Sequence, residues 1–106
     1  MKETDRITVI IPAYNAEQYI RKCVDSILGQ TWENLRLILV DDGSTDKTSQ
    51  IADEYAVRDS RVSVIHKLNE GAELARKAAL DVIDSQGFIM FVDADDYLLK
   101  RDLLQQ

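Results

Sequence analysis

Four short apolar runs alternate with three helical stripes along the chain, and this alternation limits the fold more than any other feature. The runs lie at residues 7–11, 35–40, 62–65 and 88–92, and the first of them consists of β-branched residues, which favour strands. Between them, apolar residues recur at helical spacing over residues 20–28, 51–56 and 72–83. Strands that are joined by crossover helices form parallel sheets with right-handed connections. The pattern therefore predicts an α/β fold, a three-layer α/β/α sandwich around a mainly parallel sheet.

The residues between these segments predict where the elements begin and end. Pro12 follows the first run, and we expect the first strand to stop there because proline lacks an N–H. Asn15 is a candidate N-cap of the first helix, and Ser44 or Thr45 is a candidate N-cap of the second. The predicted boundaries place polar clusters just after the first, second and fourth strands, where parallel sheets bind their ligands.

Size and charge narrow the class of protein. The 106 residues suffice for one small domain, which we take to span residues 1–106. The net charge of −6 argues against a nucleic-acid partner, which needs basic patches. Cys23 is the single cysteine, and no apolar run approaches the roughly 20 residues that cross a bilayer. We therefore expect a cytoplasmic location, with peripheral membrane association left open.

The segment after the fourth run carries the most specific chemistry. Phe91 and Val92 close an apolar strand that is followed directly by Asp93, Ala94, Asp95 and Asp96. Ionised carboxylates at this spacing repel one another unless a cation or a proton intervenes. Alternate residues of an extended segment point the same way, so Asp93 and Asp95 should converge on one Mg²⁺ or Mn²⁺ ion while Asp96 points elsewhere.

The other clusters each allow two interpretations. Of Asp41 and Asp42, we expect one to brace its loop and the other to face a ligand. Tyr14 can stack on a flat base or belong to an ordinary connection between a strand and a helix. Arg76 can contact a base or a diphosphate, or pair with Glu73 or Asp81 on its own helix. His66, the only histidine, is expected to be a hydrogen-bonding residue at a strand end and not a general base.

Taken in order, these motifs resemble the nucleotide-sugar-binding part of the family 2 glycosyltransferases, which have the Rossmann-like GT-A fold. Residues 7–15 (Ile-Thr-Val-Ile-Ile-Pro-Ala-Tyr-Asn), 26–31 (Ser-Ile-Leu-Gly-Gln-Thr) and 39–46 (Leu-Val-Asp-Asp-Gly-Ser-Thr-Asp) are similar to the opening motifs of that family. Residues 91–97 (Phe-Val-Asp-Ala-Asp-Asp-Tyr) resemble its Asp-x-Asp motif. The resemblance extends over nearly the whole chain.

The resemblance implies a function and a role for each residue of the site. The family moves a sugar from a nucleotide-diphosphate sugar, here expected to be a UDP-sugar, to an acceptor hydroxyl. The transfer is expected to invert the configuration of the sugar and to serve polysaccharide or cell-surface glycan synthesis. The expected acceptor is a glycan or a lipid-linked molecule. The implied roles are a base border at Pro12 and Tyr14, a uracil contact at Asp42, a position near the base for Arg76, ribose and metal contacts at Asp93, and a metal ligand at Asp95.

The resemblance also implies that part of the enzyme lies outside these residues. The family continues well past Asp-x-Asp to an acceptor site and a carboxylate general base, so we expect a truncated, donor-binding piece with its catalytic base beyond Gln106. Such a piece is expected to bind donor with little or no transfer. It is also expected to self-associate through its fourth strand and its tail residues, namely Tyr97, Leu98, Leu99, Leu103 and Leu104.

Two alternatives stay open. One is a catalytically incomplete nucleotide- or metal-binding module. The other is a fragment of a haloacid-dehalogenase-like phosphatase, although in that family Asp-x-Asp opens the domain and here it closes the chain. A dinucleotide-binding domain is excluded, because no Gly-x-Gly-x-x-Gly turn is present.

Overall fold

The predicted alternation of strands and helices is present in the computed structural model, which describes residue 2 and residues 5–83 and 87–99. Its elements in chain order are β1 (Ile7–Ala13), α1 (Ile20–Leu28), β2 (Leu35–Asp42), α2 (Thr48–Arg58), β3 (Val62–Lys67), α3 (Ala72–Leu80) and β4 (Phe88–Phe91). The strands form one sheet in the order β3-β2-β1-β4, and each neighbouring pair is parallel. The predicted parallel sheet is therefore confirmed.

Two apolar layers cover the two faces of the sheet. On one face, α1 and α2 pack on alternate residues of the central strands, such as Val9 and Leu37. On the other face, Ala75 and Ala79 of α3 pack against Ile10 and neighbouring side chains of β2. Small residues on α3 let this helix approach the sheet closely. The central strands are continuous apolar runs because both of their faces are buried, and the predicted α/β/α sandwich is confirmed.

All four strands differ from the predicted limits at their carboxyl ends. β1 does not stop at Pro12 but continues to Ala13. Its pairing with β4 ends at Ile10, so near Pro12 the strand pairs with β2 alone and tolerates a residue without an N–H. The shortest strand, β4, ends at Phe91 and not at Val92.

β2 and β3 extend together past their apolar runs into polar residues. Asp41 lies opposite His66, and Asp42 lies opposite Lys67. Asp42 and Lys67 form an ion pair, and Asp41 shares a hydrogen bond with His66. These cross-strand contacts favour continued pairing where a polarity rule would end both strands. The third helix differs in the opposite direction, because α3 ends at Leu80 and not at residue 83.

None of the helices within the described ranges is long and apolar enough to cross a membrane.

Candidate functional site

Three carboxylates converge directly after β4, in residues 93–96, which we call the acidic loop. Asp93, Asp95 and Asp96 each offer an oxygen, and these oxygens lie within 4.8 Å of one another. The predicted exclusion of Asp96 from this group is wrong. The prediction assumed an extended segment, but the chain turns here and the Asp96 N–H donates to the Asp93 carbonyl oxygen at 3.0 Å. The turn replaces strand alternation and brings all three side chains together.

Helix α1 holds the acidic loop from one side. The buried Cys23 thiol donates to the Asp93 carbonyl oxygen at 3.5 Å, and the Leu98 N–H donates to Ser26 Oγ at 2.9 Å. Burial, with the carboxylates of the acidic loop as a smaller cause, raises the pKa of Cys23 to about 12. The thiol therefore stays protonated and serves as a hydrogen-bond donor to the loop.

The β1 loop (residues 14–17) is attached to the β2 loop (residues 43–47) mainly through Asn15. Its N–H donates to Ser44 Oγ at 3.1 Å. Its Oδ1 accepts from the Thr45 N–H at 2.8 Å, and its Nδ2 donates to Thr45 Oγ1 at 3.2 Å. Asn15 is thus not the N-cap of α1, whose N-cap position is Tyr19.

The start of α2 completes this attachment. Thr48 is fully buried, and its Oγ1 accepts from the Ala16 N–H at 2.7 Å. The Asp46 carboxylate accepts from the Thr48 N–H at 2.8 Å and from the Glu17 N–H at 3.3 Å. The N-cap position of α2 is Lys47, and Asp46 just before it accepts from the first N–H of the helix, so the prediction of Ser44 or Thr45 as the N-cap is wrong. Those two side chains bind the β1 loop instead.

Both aspartates at the end of β2 brace loops. Asp41 accepts from the Ser44 N–H at 3.0 Å. Asp42, which is only 3% exposed, accepts from the backbone N–H groups of Glu70 and Gly71 at 3.0 and 2.9 Å. Asp42 thus fixes the β3 loop (residues 68–71), and its predicted contact with a base stays a prediction.

Gly43 permits the close approach of the β2 and β3 loops. It has a φ of 72°, and a Cβ there would lie 2.6 Å from the Asn69 backbone nitrogen. Any other residue would push the two loops apart.

His66 joins β2, β3 and α2. Its Nδ1 lies 2.9 Å from Asp41 Oδ2 and its Nε2 lies 2.7 Å from Asp53 Oδ1, with Ser49 Oγ also near Nδ1 at 3.3 Å. These hydrogen bonds raise the pKa of His66 above its ordinary value. Burial raises the pKa of Asp41, but hydrogen bonds from Ser44 and His66 outweigh it and the net shift is downward. The predicted hydrogen-bonding role of His66 is confirmed.

Arg76 approaches the acidic loop from α3, on the side opposite to α1. Its guanidinium lies 3.3 Å from Asp93 Oδ1 and over the Phe91 ring at 5.9 Å from the centroid. The alternative pairing of Arg76 with Glu73 or Asp81 is wrong, because Arg76 pairs with Asp93 instead. Asp81 pairs with Lys77, four positions before it on the helix, with 3.0 Å between Lys77 Nζ and Asp81 Oδ2.

Two clefts flank the acidic loop at the carboxyl edge of the sheet. One, of about 260 Å³, lies between β1 and the acidic loop and is lined mainly by Pro12, Tyr14, Tyr19, Asp93 and Asp95. The other, of about 570 Å³, is lined by Arg76, Phe91, Val92, Asp93, Asp96 and Leu98. The strand order reverses between β1 and β4, which is where open α/β sheets bind ligands.

The structure thus brings most of the predicted site residues to one edge. Pro12, Tyr14, Asp93 and Asp95 line one cleft, and Arg76 reaches the same loop from the other. Residue spacing predicted that Asp96 points elsewhere, did not indicate Tyr19, and placed Asn15 at the N-cap of α1. The sequence could have indicated Tyr19, because it is a second tyrosine five positions after Tyr14. In the structure its side chain is 52% exposed and lines the same cleft.

A parallel α/β sheet with an acidic loop at its switch point has the arrangement of a ligand-binding α/β domain. The pattern described as "Glycosyl transferase family 2" matches residues 8–106, so the chain belongs to glycosyl transferase family 2. The predicted family is confirmed, and the phosphatase alternative is wrong.

A curated relative and two solved structures agree with this assignment. "Glycosyltransferase GlyA" of Streptococcus pneumoniae is 44% identical over 94 residues, covering 89% of this chain and 13% of the relative. TarS 1-349 of S. aureus, solved in complex with UDP, has a TM-score of 0.83 at 32% identity over 94% of this chain and 30% of its own. The mannosyltransferase PcManGT of Pyrobaculum calidifontis, solved with GDP-Man and Mn²⁺, has a TM-score of 0.87 at 27% identity over 97% of this chain and 32% of its own. The predicted GT-A fold is confirmed, and the chain spans a third or less of each of these proteins.

Proposed function

We propose that this chain forms the donor-binding part of a glycosyltransferase that moves a sugar from a UDP-sugar to an acceptor hydroxyl. The observation that carries the proposal is the acidic loop, which faces Tyr14 across a cleft at the switch point of a parallel sheet. The whole protein is proposed to carry out the transfer, with inversion, to a glycan or lipid-linked acceptor. That reaction would serve polysaccharide or cell-surface glycan synthesis.

The acidic loop fits a divalent cation. Carboxylate oxygens are the ligands that Mg²⁺ and Mn²⁺ prefer. Among the described residues, Arg76 is the one cation that pairs with this loop, at Asp93, which leaves Asp95 and Asp96 without an ion-pair partner. Asp93 and Asp95 are the proposed ligands, and Asp96 adds a third oxygen donor. A bound cation would neutralise the charge on the leaving nucleoside diphosphate.

The remaining residues shape the nucleotide site around that charge. Tyr14 offers an exposed ring on which a base can stack, next to the rigid Pro12. Asp42 is the proposed hydrogen-bond partner of the uracil, and Arg76 supplies donors near the base and the diphosphate. The UDP complex of TarS, which has the higher identity of the two solved neighbours, supports UDP as the nucleotide.

Titration calorimetry of the chain with UDP, with Mn²⁺ or with a chelator, tests the proposal. We expect Mn²⁺-dependent binding, and we expect Asp95→Asn to weaken it about tenfold or more because a metal ligand is lost. Removing one of several like charges should leave the thermal stability unchanged or raise it. Asp81→Asn is the matched control, since this exposed carboxylate lies at the far end of α3.

Equal UDP affinity in Mn²⁺ and in chelator would contradict the metal-bridged site. An Asp95→Asn variant that lost its folding transition together with binding would assign Asp95 a structural role instead.

A further inference from the structure

Asn15 is held in the left-handed backbone conformation, which residues with a Cβ rarely adopt and which asparagine adopts more often than most of them. Its φ is 48°, and it is the one described residue other than glycine with a positive φ. This left-handed conformation costs free energy for residues that have a Cβ. It persists here where the side chain and the N–H of Asn15 bind Ser44 and Thr45.

We propose that Asn15 is a positioning residue, which acts through Thr45 to hold the Tyr14 ring in place for the base of the nucleotide. The inference rests on the proposed function and adds a residue that contributes to affinity without contacting the ligand. Within the described residues, no hydrogen bond restrains the Tyr14 side chain, which is 50% exposed. The direction of the ring therefore depends on the backbone at residues 14 and 15.

The bonds between Asn15 and Thr45 are suited to this task. Asn15 Oδ1 accepts from the Thr45 N–H at 2.8 Å and lies 3.3 Å from Thr45 Oγ1, while Asn15 Nδ2 donates to the same hydroxyl at 3.2 Å. Both ends of the amide are thus used within the protein. Asp41, at the end of β2, accepts from the Ser44 N–H and so fixes the β2 loop that carries Thr45. Thr45 in turn restrains Asn15, and Asn15 restrains the backbone next to Tyr14.

A direct contact between Asn15 and the ligand is the competing explanation, because Asn15 also lines the cleft. Thr45 does not line it, so a change at Thr45 separates the two explanations. Thr45→Val removes the hydroxyl and keeps the N–H, and Thr45→Ser keeps both.

Two ligands measured in Mn²⁺ distinguish a positioned base from general damage. UDP needs the Tyr14 ring and the acidic loop, whereas inorganic pyrophosphate needs the acidic loop alone. We expect Asn15→Gly, which tolerates the positive φ, to weaken UDP binding about tenfold and to leave pyrophosphate binding unchanged. Thr45→Val should give a smaller loss of the same kind, and Thr45→Ser should bind UDP like the unchanged chain.

Each other outcome has a defined meaning. Unchanged UDP affinity in Asn15→Gly overturns the inference about Asn15 and leaves the proposed function standing. Loss in Asn15→Gly with full UDP binding in Thr45→Val overturns the route through the Thr45 hydroxyl, because Thr45→Val removes the hydroxyl and keeps only the bond from the Thr45 N–H. If Asn15→Gly does not fold, the Thr45→Val and Thr45→Ser pair decides alone. If the unchanged chain binds pyrophosphate and not UDP, the proposed function fails, and the inference about Asn15 fails with it.

Discussion

Hydrogen bonds to two carboxylates surround His66, so its charge is linked to folding. Asp41 of β2 and Asp53 of α2 lie on its two ring nitrogens, and their hydrogen bonds raise its pKa in the folded chain. A group whose pKa is raised by folding stabilises the protein fully below its unfolded pKa of about 6.5. That stabilisation is lost as the pH rises through the folded pKa.

We therefore predict that the free energy of unfolding falls as the pH rises from about 6 to about 9. The decrease should be less than about 1 kcal/mol, because solvent screens a side chain as exposed as that of His66. Urea unfolding at several pH values measures it, and His66→Gln should remove most of the slope. A variant with the original slope would show that another group titrates in this range.

Asp96 shows what residue spacing can and cannot predict at this scale. Spacing indicated that carboxylates after a strand would gather, and they do. It failed for Asp96 because the period of two holds only while the strand lasts, and β4 ends at Phe91. The partner of Asn15 was equally out of reach, since the bond to Thr45 spans 30 positions and depends on how two loops meet.

At the scale of elements, apolar periodicity predicted all seven strands and helices of the described residues. All of them except β4, whose side chains are largely exposed, have at least one buried face in the sandwich. Periodicity did not predict the ends of β2 and β3, where polar cross-strand pairs extend the ladder. The bond from the first N–H of α2 to Asp46 was missed because the serine and threonine before Asp46 bind the β1 loop instead. Local rules failed where side chains serve a neighbouring loop.

The edge strand β4 has an exposed apolar surface. It pairs with β1 on one side, and Phe88, Ile89 and Phe91 are 48%, 43% and 46% exposed. Unpaired, apolar edge strands tend to pair with another copy. Of the predicted tail contacts, Leu98 packs on the core, Tyr97 and Leu99 are exposed, and Leu103 and Leu104 lie outside the described residues. Self-association through the tail stays a prediction.

We predict that the chain of 106 residues self-associates through β4. Light scattering over a concentration series should show a rising mean mass, and Ile89→Lys should reduce it by placing a charge on the edge. Val57→Lys is the matched control, because Val57 is an isolated exposed residue on α2. A monomer at every concentration would contradict the prediction.

At the scale of the whole molecule, the residues that stabilise the fold and the residues of the candidate site occupy different parts of the domain. The two apolar layers stabilise the sheet, and the carboxyl edge gathers the polar loops. The order of the strands could not be read from the sequence, although it decides that the loop after β4 lies beside the loop after β1. The family resemblance implied that these two loops lie close together, and apolar periodicity predicted the elements and their layers.

The most direct test of a donor site at this edge is paramagnetic broadening of backbone amide signals by Mn²⁺ in the presence of UDP. We expect broadening of the amides of residues 14–16 and 93–96, and its reversal by chelator. The amides of Arg36 and Ser63, near the amino ends of β2 and β3, should stay sharp and serve as the internal control. Broadening centred on those amino ends, or spread evenly over the acidic surface, would contradict a donor site between β1 and β4.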